Sequence, residues 1–222
     1  MKLLYERKEI IRFSLKMVKS GLTTGSGGNL SIFNRSEGLI AITPSGVEYQ
    51  ELTPENIILM DIQGNVCLSN DSDNTAKLKP SSESGFHTAL YQQRADINAI
   101  VHTHSPYATT FACLNREIPP VHYLVAFAGI KVPVAPYATF GTQQLADNIV
   151  VTIKDYNAIL LANHGLVAVG NNMPQAFNIA EEIEFVARIC YQAESIGRPV
   201  LLPDNEMKKV IEKFKNYGSG KN

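Results

Sequence analysis

Two short apolar runs, AILLA and LVAVG, are separated only by Asn163, His164 and Gly165. Runs of this length suit buried strands, and a polar break ending in glycine lets the chain reverse between them. Similar runs recur in NLSIFN, GLIAIT, NIILMD and INAIVHTH, each bounded by turn-forming residues. NIILMD and VCLS read as a hairpin around Gly64-Asn65. Helical periods lie between the runs. Leu4, Ile11, Leu15, Val18 and Leu22 recur at helical spacing and predict an amphipathic first helix stopped at Gly21. Further helices are predicted from about Ser82 to Arg94 with Phe86, Ala89 and Leu90 inward, after Pro106, over GTQQLADNIVVTIKD, after Pro174 and over NEMKKVIEKFKNYG. Strands and helices intermix without a strict βαβ rhythm. The predicted architecture is therefore α/β: a single domain over residues 1–222, with a central, mainly antiparallel sheet flanked by helices and a mobile tail at 216–222.

The 222 residues are 45% hydrophobic and 18% charged, which suits a packed core and argues against extended disorder. A net charge of −1 removes any general attraction to nucleic acid or anionic lipid. Charges interrupt the N-terminal segment throughout, unlike a signal peptide, and no apolar run is long enough to span a bilayer. Cys67, Cys113 and Cys190 are far apart and odd in number, so reduced, mostly buried thiols and a cytoplasmic location are expected.

Five histidines are present, and two of them, His102 and His104, end the apolar run INAIVHTH. Side chains two apart on a strand share a face, so these imidazoles point the same way and can chelate a borderline metal such as zinc. His164, between two apolar runs and followed by Gly165, is the best third ligand, since an unpaired buried imidazole is costly. Three imidazoles leave a coordination position open, as a catalytic site needs. Glu83 is a candidate for that position and for proton transfer; alternatively it is a first-turn acid complementing a helix dipole. Glu83 and His87, four apart on one helical face, form a rival chelating pair, the alternative being a surface or hydrogen-bonded His87. His122, in a segment flanked by prolines, is a weaker candidate. Ser81 and Ser82 at a helix start, together with the small-residue turns TGSGGN and TPSG, offer hydroxyls and backbone N–H groups to an anion, which makes a phosphorylated small molecule plausible.

GNLS, TPSG, KPSSE, HTH and NHG occur in this order between Leu3 and Gly218, and in this respect the chain resembles the class II aldolase and sugar-phosphate epimerase family. The resemblance implies that family's three-layer fold. It implies a zinc site of His102, His104 and His164, with Glu83 as mobile fourth ligand and base, and phosphate contacts from Gly28, Asn29, Ser45, Gly46, Ser81 and Ser82. It further implies Tyr123 as proton donor, Tyr217 as a tail residue that helps close the site, and a homotetramer with sites between subunits. PPVHYLVAFAG, APYATFGT and EKFKNYG are most similar to members that cleave L-fuculose 1-phosphate to dihydroxyacetone phosphate and L-lactaldehyde. The rivals are a pentulose-5-phosphate 4-epimerase, in which aspartate stands in place of Glu83, and a dehydratase acting on methylthioribulose 1-phosphate. A non-catalytic interaction domain on the same fold is disfavoured by the three histidines and Glu83.

Overall fold

The runs bounded by turn residues become the strands of one sheet. The computed structural model describes residues 1–67 and 78–215. Within them, seven strands run as β1 (Asn29–Asn34), β2 (Leu39–Ile42), β3 (Ile58–Asp61), β4 (Ala99–Thr103), β5 (Val134–Ala135), β6 (Ala158–Leu161) and β7 (Gly165–Gly170). Their order in the sheet is β3-β2-β1-β4-β7-β6-β5. Every pairing is antiparallel except β5 with β6, which is parallel. The sequence expectation of a mainly antiparallel sheet flanked by helices therefore holds.

Alternation along the strands sends side chains to two cores. Leu30, Val101, Leu160 and Ala168 face one of them, which is closed by Ile10, Phe13 and Met17 of α1 (Leu4–Lys19), Phe111 of α3 (Pro106–Cys113), Phe177 of α5 (Met173–Ile196) and Met207 of α6 (Asp204–Lys215). Ile40, Ile100, Ile159 and Val167 face the other, closed by Phe86, Leu90 and Tyr91 of α2 (Ser84–Gln93) and by Ile149 and Ile153 of α4 (Gln143–Ile153). Helix, sheet and helix make three layers, so the strands are buried on both sides and read as nearly continuous apolar runs.

Two expectations need correction, the buried stripe of α1 and the burial of the cysteines. The inward face of α1 carries Arg7, Ile10, Phe13, Ser14 and Met17, whereas Leu4 and Leu15 are 41% and 42% exposed. Helical spacing alone did not select the buried stripe, because Arg7 is drawn inward by the carbonyls of Lys2, Pro54 and Ile57. The expected hairpin around Gly64-Asn65 is present within the described residues: Met60 bridges Val66 in antiparallel sense, Asp61 N–H donates to Asn65 O and Cys67 N–H to Leu59 O. Of the three cysteines, all free, only Cys190 is buried; Cys67 is intermediate and Cys113 exposed. The expected mobile tail at 216–222 and Tyr217 lie outside the described residues.

Two glycines hold the sheet closed around β4. Gly28 has φ +74°, and a side chain there would meet the carbonyl oxygen of His102 at 2.4 Å. A Cβ on Gly165 would lie 2.3 Å from the carbonyl oxygen of Thr103 and 3.1 Å from the His104 ring. Gly165→Ala is therefore expected to cost about 1–3 kcal/mol, the usual range for overpacking a filled interior. A urea or thermal unfolding series measures it, and the loss should be accompanied by weaker metal binding because the two histidines are pushed apart.

Candidate active site

The site gathers where β4 leaves the sheet. Asn29 pairs with His102 across β1–β4, and Val167 pairs with His102 across β4–β7. His102 is thus wholly buried. Its Nδ1 lies 2.9 Å from the Leu166 carbonyl oxygen, which can only accept, so Nδ1 carries the proton. In that tautomer the Nε2 lone pair faces the site. His104 follows just beyond the strand end, before Ser105 and Pro106 open α3. His164 closes the tight reversal from β6 to β7, where Asn163 takes φ +54°, a conformation asparagine tolerates better than most residues.

The Nε2 atom of His102 lies 3.1 Å from Nε2 of His104 and 3.2 Å from Nε2 of His164. Ligands of a tetrahedral zinc at 2.0–2.1 Å stand about 3.3–3.4 Å from one another, so these spacings are close to what a single ion requires. The three donor atoms lie within 4.8 Å of one another.

Glu83 completes the cluster. It occupies the position before α2, yet its side chain makes no cap hydrogen bond. Instead Oε2 lies 3.3 Å from His102 Nε2 and accepts from Asn29 Nδ2 at 2.9 Å, while Oε1 lies 3.4 Å from His164 Nε2. The Oε1 atom is buried without a hydrogen-bond partner. An orphaned buried carboxylate oxygen beside His164 Nε2, next to a cluster of three imidazoles, is a donor set that fits a divalent cation. Burial acts to raise the Glu83 pKa, but His102, His164 and the Asn29 amide outweigh it and hold the carboxyl at about 2. Burial, reinforced by His102, lowers His104 and His164 to about 4, so both are neutral and able to ligate at pH 7.

A cavity of about 390 Å³ opens beside this cluster. Gly28, Asn29, Ser45, Gly46, Ser81 and Ser82 all line it, together with Glu83, His104 and His164. The turns that carry them are tied together: Pro44 bridges Pro80, Ser45 N–H donates to Lys79 O, and Ser81 N–H donates to Thr43 O. The Tyr49 hydroxyl donates to the carbonyls of Gly27 and Gly28, and its phenol is raised by burial and by the charge on Glu83. The Asn29 side chain gives one amide N–H to Glu83 and faces His87 with Oδ1, and its NH₂ carries a second N–H besides.

Other sequence candidates fall elsewhere. His87 is fully buried in hydrogen bonds to Ser31 and Asn29, so it is the hydrogen-bonded alternative and not a chelating partner of Glu83. His122 accepts from the Leu124 N–H at the start of the 3-10 turn Tyr123–Phe127. Tyr123 is 48% exposed, packs near Phe214, and is not among the residues lining the cavity of its own chain. The reading of spacing missed Tyr137, Phe140 and Asn163, which also line the cavity. Tyr137 and Phe140 belong to APYATFGT, a stretch whose signal was likeness alone, because nothing in its local pattern marks an exposed aromatic as site-facing.

Because a proton on either His104 or His164 removes a metal-binding lone pair, metal affinity should fall as pH falls. The protein is expected to hold a divalent ion at pH 7 and to release it as the pH drops toward about 4, where these rings protonate. Metal analysis after equilibrium dialysis at stepped pH checks this, and His104→Ala should lose the ion even at pH 7.

Residues 8–191 match the family described as Class II Aldolase and Adducin N-terminal domain. The chain is 54% identical over 213 residues to a 5-deoxy-D-ribulose 1-phosphate aldolase of Bacillus thuringiensis serovar kurstaki, covering 96% of this chain and 97% of that relative. It is 41% identical to the L-fuculose phosphate aldolase of Escherichia coli K12, covering 95% of this chain and 94% of the other. A solved L-fuculose 1-phosphate aldolase superposes with a TM-score of 0.90 at 46% identity, over 95% of this chain and 96% of that one. A match of this extent to the family, joined to relatives that share nearly the whole length, means that the chain belongs to the class II aldolase family.

Proposed function

We propose that this protein is a zinc-dependent aldolase that reversibly cleaves a deoxyketose 1-phosphate to dihydroxyacetone phosphate and a short aldehyde. The observation that carries this reading is the convergence of three imidazoles and a buried carboxylate with a free oxygen beside a cavity ringed by small-residue turns. Zinc is favoured because an all-nitrogen set with an open position suits it. The 54% relative favours 5-deoxy-D-ribulose 1-phosphate as substrate. L-Fuculose 1-phosphate, the substrate expected from the resemblance, is the second reading and is supported by the 41% and 46% relatives. The two share the C1 phosphate, the C2 carbonyl, hydroxyls at C3 and C4, and a terminal methyl group. Aldolase names among these relatives, and glutamate at position 83, weigh against the epimerase and dehydratase readings.

In the proposed reaction the turns at Gly28, Ser45–Gly46 and Ser81–Ser82 hold the phosphate through backbone N–H and hydroxyl groups. When bound, the metal supplies Lewis-acid stabilisation of the negative charge that develops on the ketone fragment. In cleavage the C4 hydroxyl passes its proton to solvent through Tyr123, the C3–C4 bond breaks, and Glu83, having taken up a proton, delivers it to C3 and is left as the carboxylate. In synthesis Glu83 takes that proton, and its Oε1, unencumbered by hydrogen bonds, is the oxygen suited to hold it. The enclosing walls keep Glu83 away from bulk water.

In synthesis Tyr123 is the proposed proton donor to the new C4 oxygen. It lies outside the cavity lining of its own chain, so this role fits an assembly in which Tyr123 of a neighbouring copy, and Tyr217 of its tail, complete the site. A homotetramer follows as the proposed state; half-exposed Tyr123 and exposed Phe140 are aromatic surface available for burial between subunits. Three free cysteines fit a reducing, cytoplasmic setting.

Coupled assays for dihydroxyacetone phosphate with both deoxyketose phosphates test the reading. The expected order of kcat/KM is 5-deoxy-D-ribulose 1-phosphate over L-fuculose 1-phosphate, and inactivity on both overturns it. Glu83→Gln should lower turnover by roughly 10²-fold or more and slow solvent proton exchange at C3 of dihydroxyacetone phosphate to a similar degree. Light scattering should return a tetramer, and Tyr123→Phe should depress kcat without dissociating it.

A further inference from the structure

Behind Glu83 a chain of buried polar groups runs away from the cavity. Asn29 Nδ2 donates to Glu83 Oε2 at 2.9 Å, and Asn29 Oδ1 lies 2.5 Å from His87 Nε2. His87 Nδ1 lies 2.6 Å from Ser31 Oγ, which is 2.7 Å from the Tyr91 hydroxyl. Asn29 is 2% exposed, and His87 and Ser31 are 0% exposed. Nothing in the proposed chemistry uses His87, yet packing alone does not call for an imidazole here: Phe86 stacks on its ring at 4.4 Å, and an apolar side chain would fill the space without hydrogen-bonding needs.

The donor logic follows from the carboxylate. An ionised Glu83 only accepts, so Asn29 must turn its NH₂ toward it and its Oδ1 toward His87. His87 must then donate from Nε2 and accept at Nδ1, from the Ser31 hydroxyl. Tyr91 ends the chain as a donor, with Ser31 Oγ and the Ser31 carbonyl, at 3.0 Å, both available to it. The opposite tautomer of His87 would invite the Asn29 amide to flip. That would set Oδ1 against the carboxylate, two acceptors at hydrogen-bond distance.

We infer that His87 is a positioning residue: its neutral Nε2–H tautomer locks the Asn29 amide, which anchors Oε2 of Glu83 and leaves Oε1 turned toward the reacting atoms. The assignment of Glu83 as base rests on the aldolase reading above; the hydrogen-bond order does not. Burial keeps the ring neutral, lowering its pKa to about 3 despite the opposing influence of Glu83, so the lock is independent of pH through the working range. Partners of this kind, one step removed from the reacting groups, commonly change activity by about 10–100-fold when removed.

The test has two arms on the full-length, metal-loaded protein. Nitrogen–proton correlation spectra of ¹⁵N-histidine-labelled protein, with the His87 signals assigned by their loss in His87→Gln, should show the Nε2–H tautomer unchanged between about pH 6 and 8, a range in which an ordinary histidine titrates. An Nδ1–H tautomer or an imidazolium overturns the inference. In the second arm, His87→Phe and Asn29→Asp should each lower kcat by about 10–100-fold with KM changed less than about twofold and metal content unchanged. His87→Gln, whose amide N–H can reach Asn29 Oδ1, should recover most of that loss. Equal losses in His87→Gln and His87→Phe that track a common fall in melting temperature would make His87 a packing residue and overturn the positioning role. If His87→Phe does not fold, the tautomer and Asn29→Asp decide. Absence of turnover in the parent protein on both sugar phosphates would remove the aldolase reading, while the tautomer result would still stand or fall by itself.

Discussion

The structure depends on the pairing of β4 along both of its edges. With β1 on one side and β7 on the other, its backbone groups are satisfied and its side chains are enclosed by helices on both faces. An imidazole at the end of such a strand cannot turn to water, so His102 must find its partners inside the protein. The strand then ends abruptly, because Pro106 begins α3, and His104 is left at the rim. The same antiparallel neighbours deliver the remaining components. Asn29 arrives by register from β1, and His164 arrives from the reversal that feeds β7. Close approach of these strands is possible because Gly28 and Gly165 present no side chain to the backbone of β4.

Burying Glu83 among these rings sets the electrostatics. A carboxylate that is 7% exposed would be strongly destabilised alone. Here Oε2 is compensated by a neutral amide and lies beside His102, while Oε1 faces the His164 nitrogen. The two oxygens are therefore not equivalent, and the anchored one is tied through Asn29, at the cavity wall, to the buried chain of His87, Ser31 and Tyr91. In the proposed reaction Glu83 must both stay ionised and be free to take a proton, and this division serves both needs. The turns at Ser45–Gly46 and Ser81–Ser82 line the cavity with small residues and hydroxyls; in the proposed reaction they recognise the phosphate without adding a fixed charge beside the base.

Much of this was legible in the sequence because it is local. Apolar runs bounded by turn residues marked the strands, since a strand buried on both faces needs nothing but apolar side chains. Pro106 and Pro174 marked helix starts, since their missing N–H is harmless there. His102 and His104 could be placed on one face because alternation along a strand is geometric, and the order of GNLS, TPSG, KPSSE, HTH and NHG carried the family. What the sequence could not determine are relations between elements. The stripe of α1 that faces inward is settled by carbonyls far along the chain that draw in Arg7. The role of His87 is settled by which strand lies behind α2, because the same four-residue spacing from Glu83 would equally permit chelation. Tyr137 and Phe140 reach the cavity because their loop packs against Ser82, where a side chain on Gly141 would meet the Ser82 carbonyl at 2.9 Å. Chemical character and local conformation are written in the order of residues, but the direction of a hydrogen bond and the company of a buried charge exist only once side chains far apart in sequence, such as Asn29 and Glu83, have been brought within 3 Å of one another.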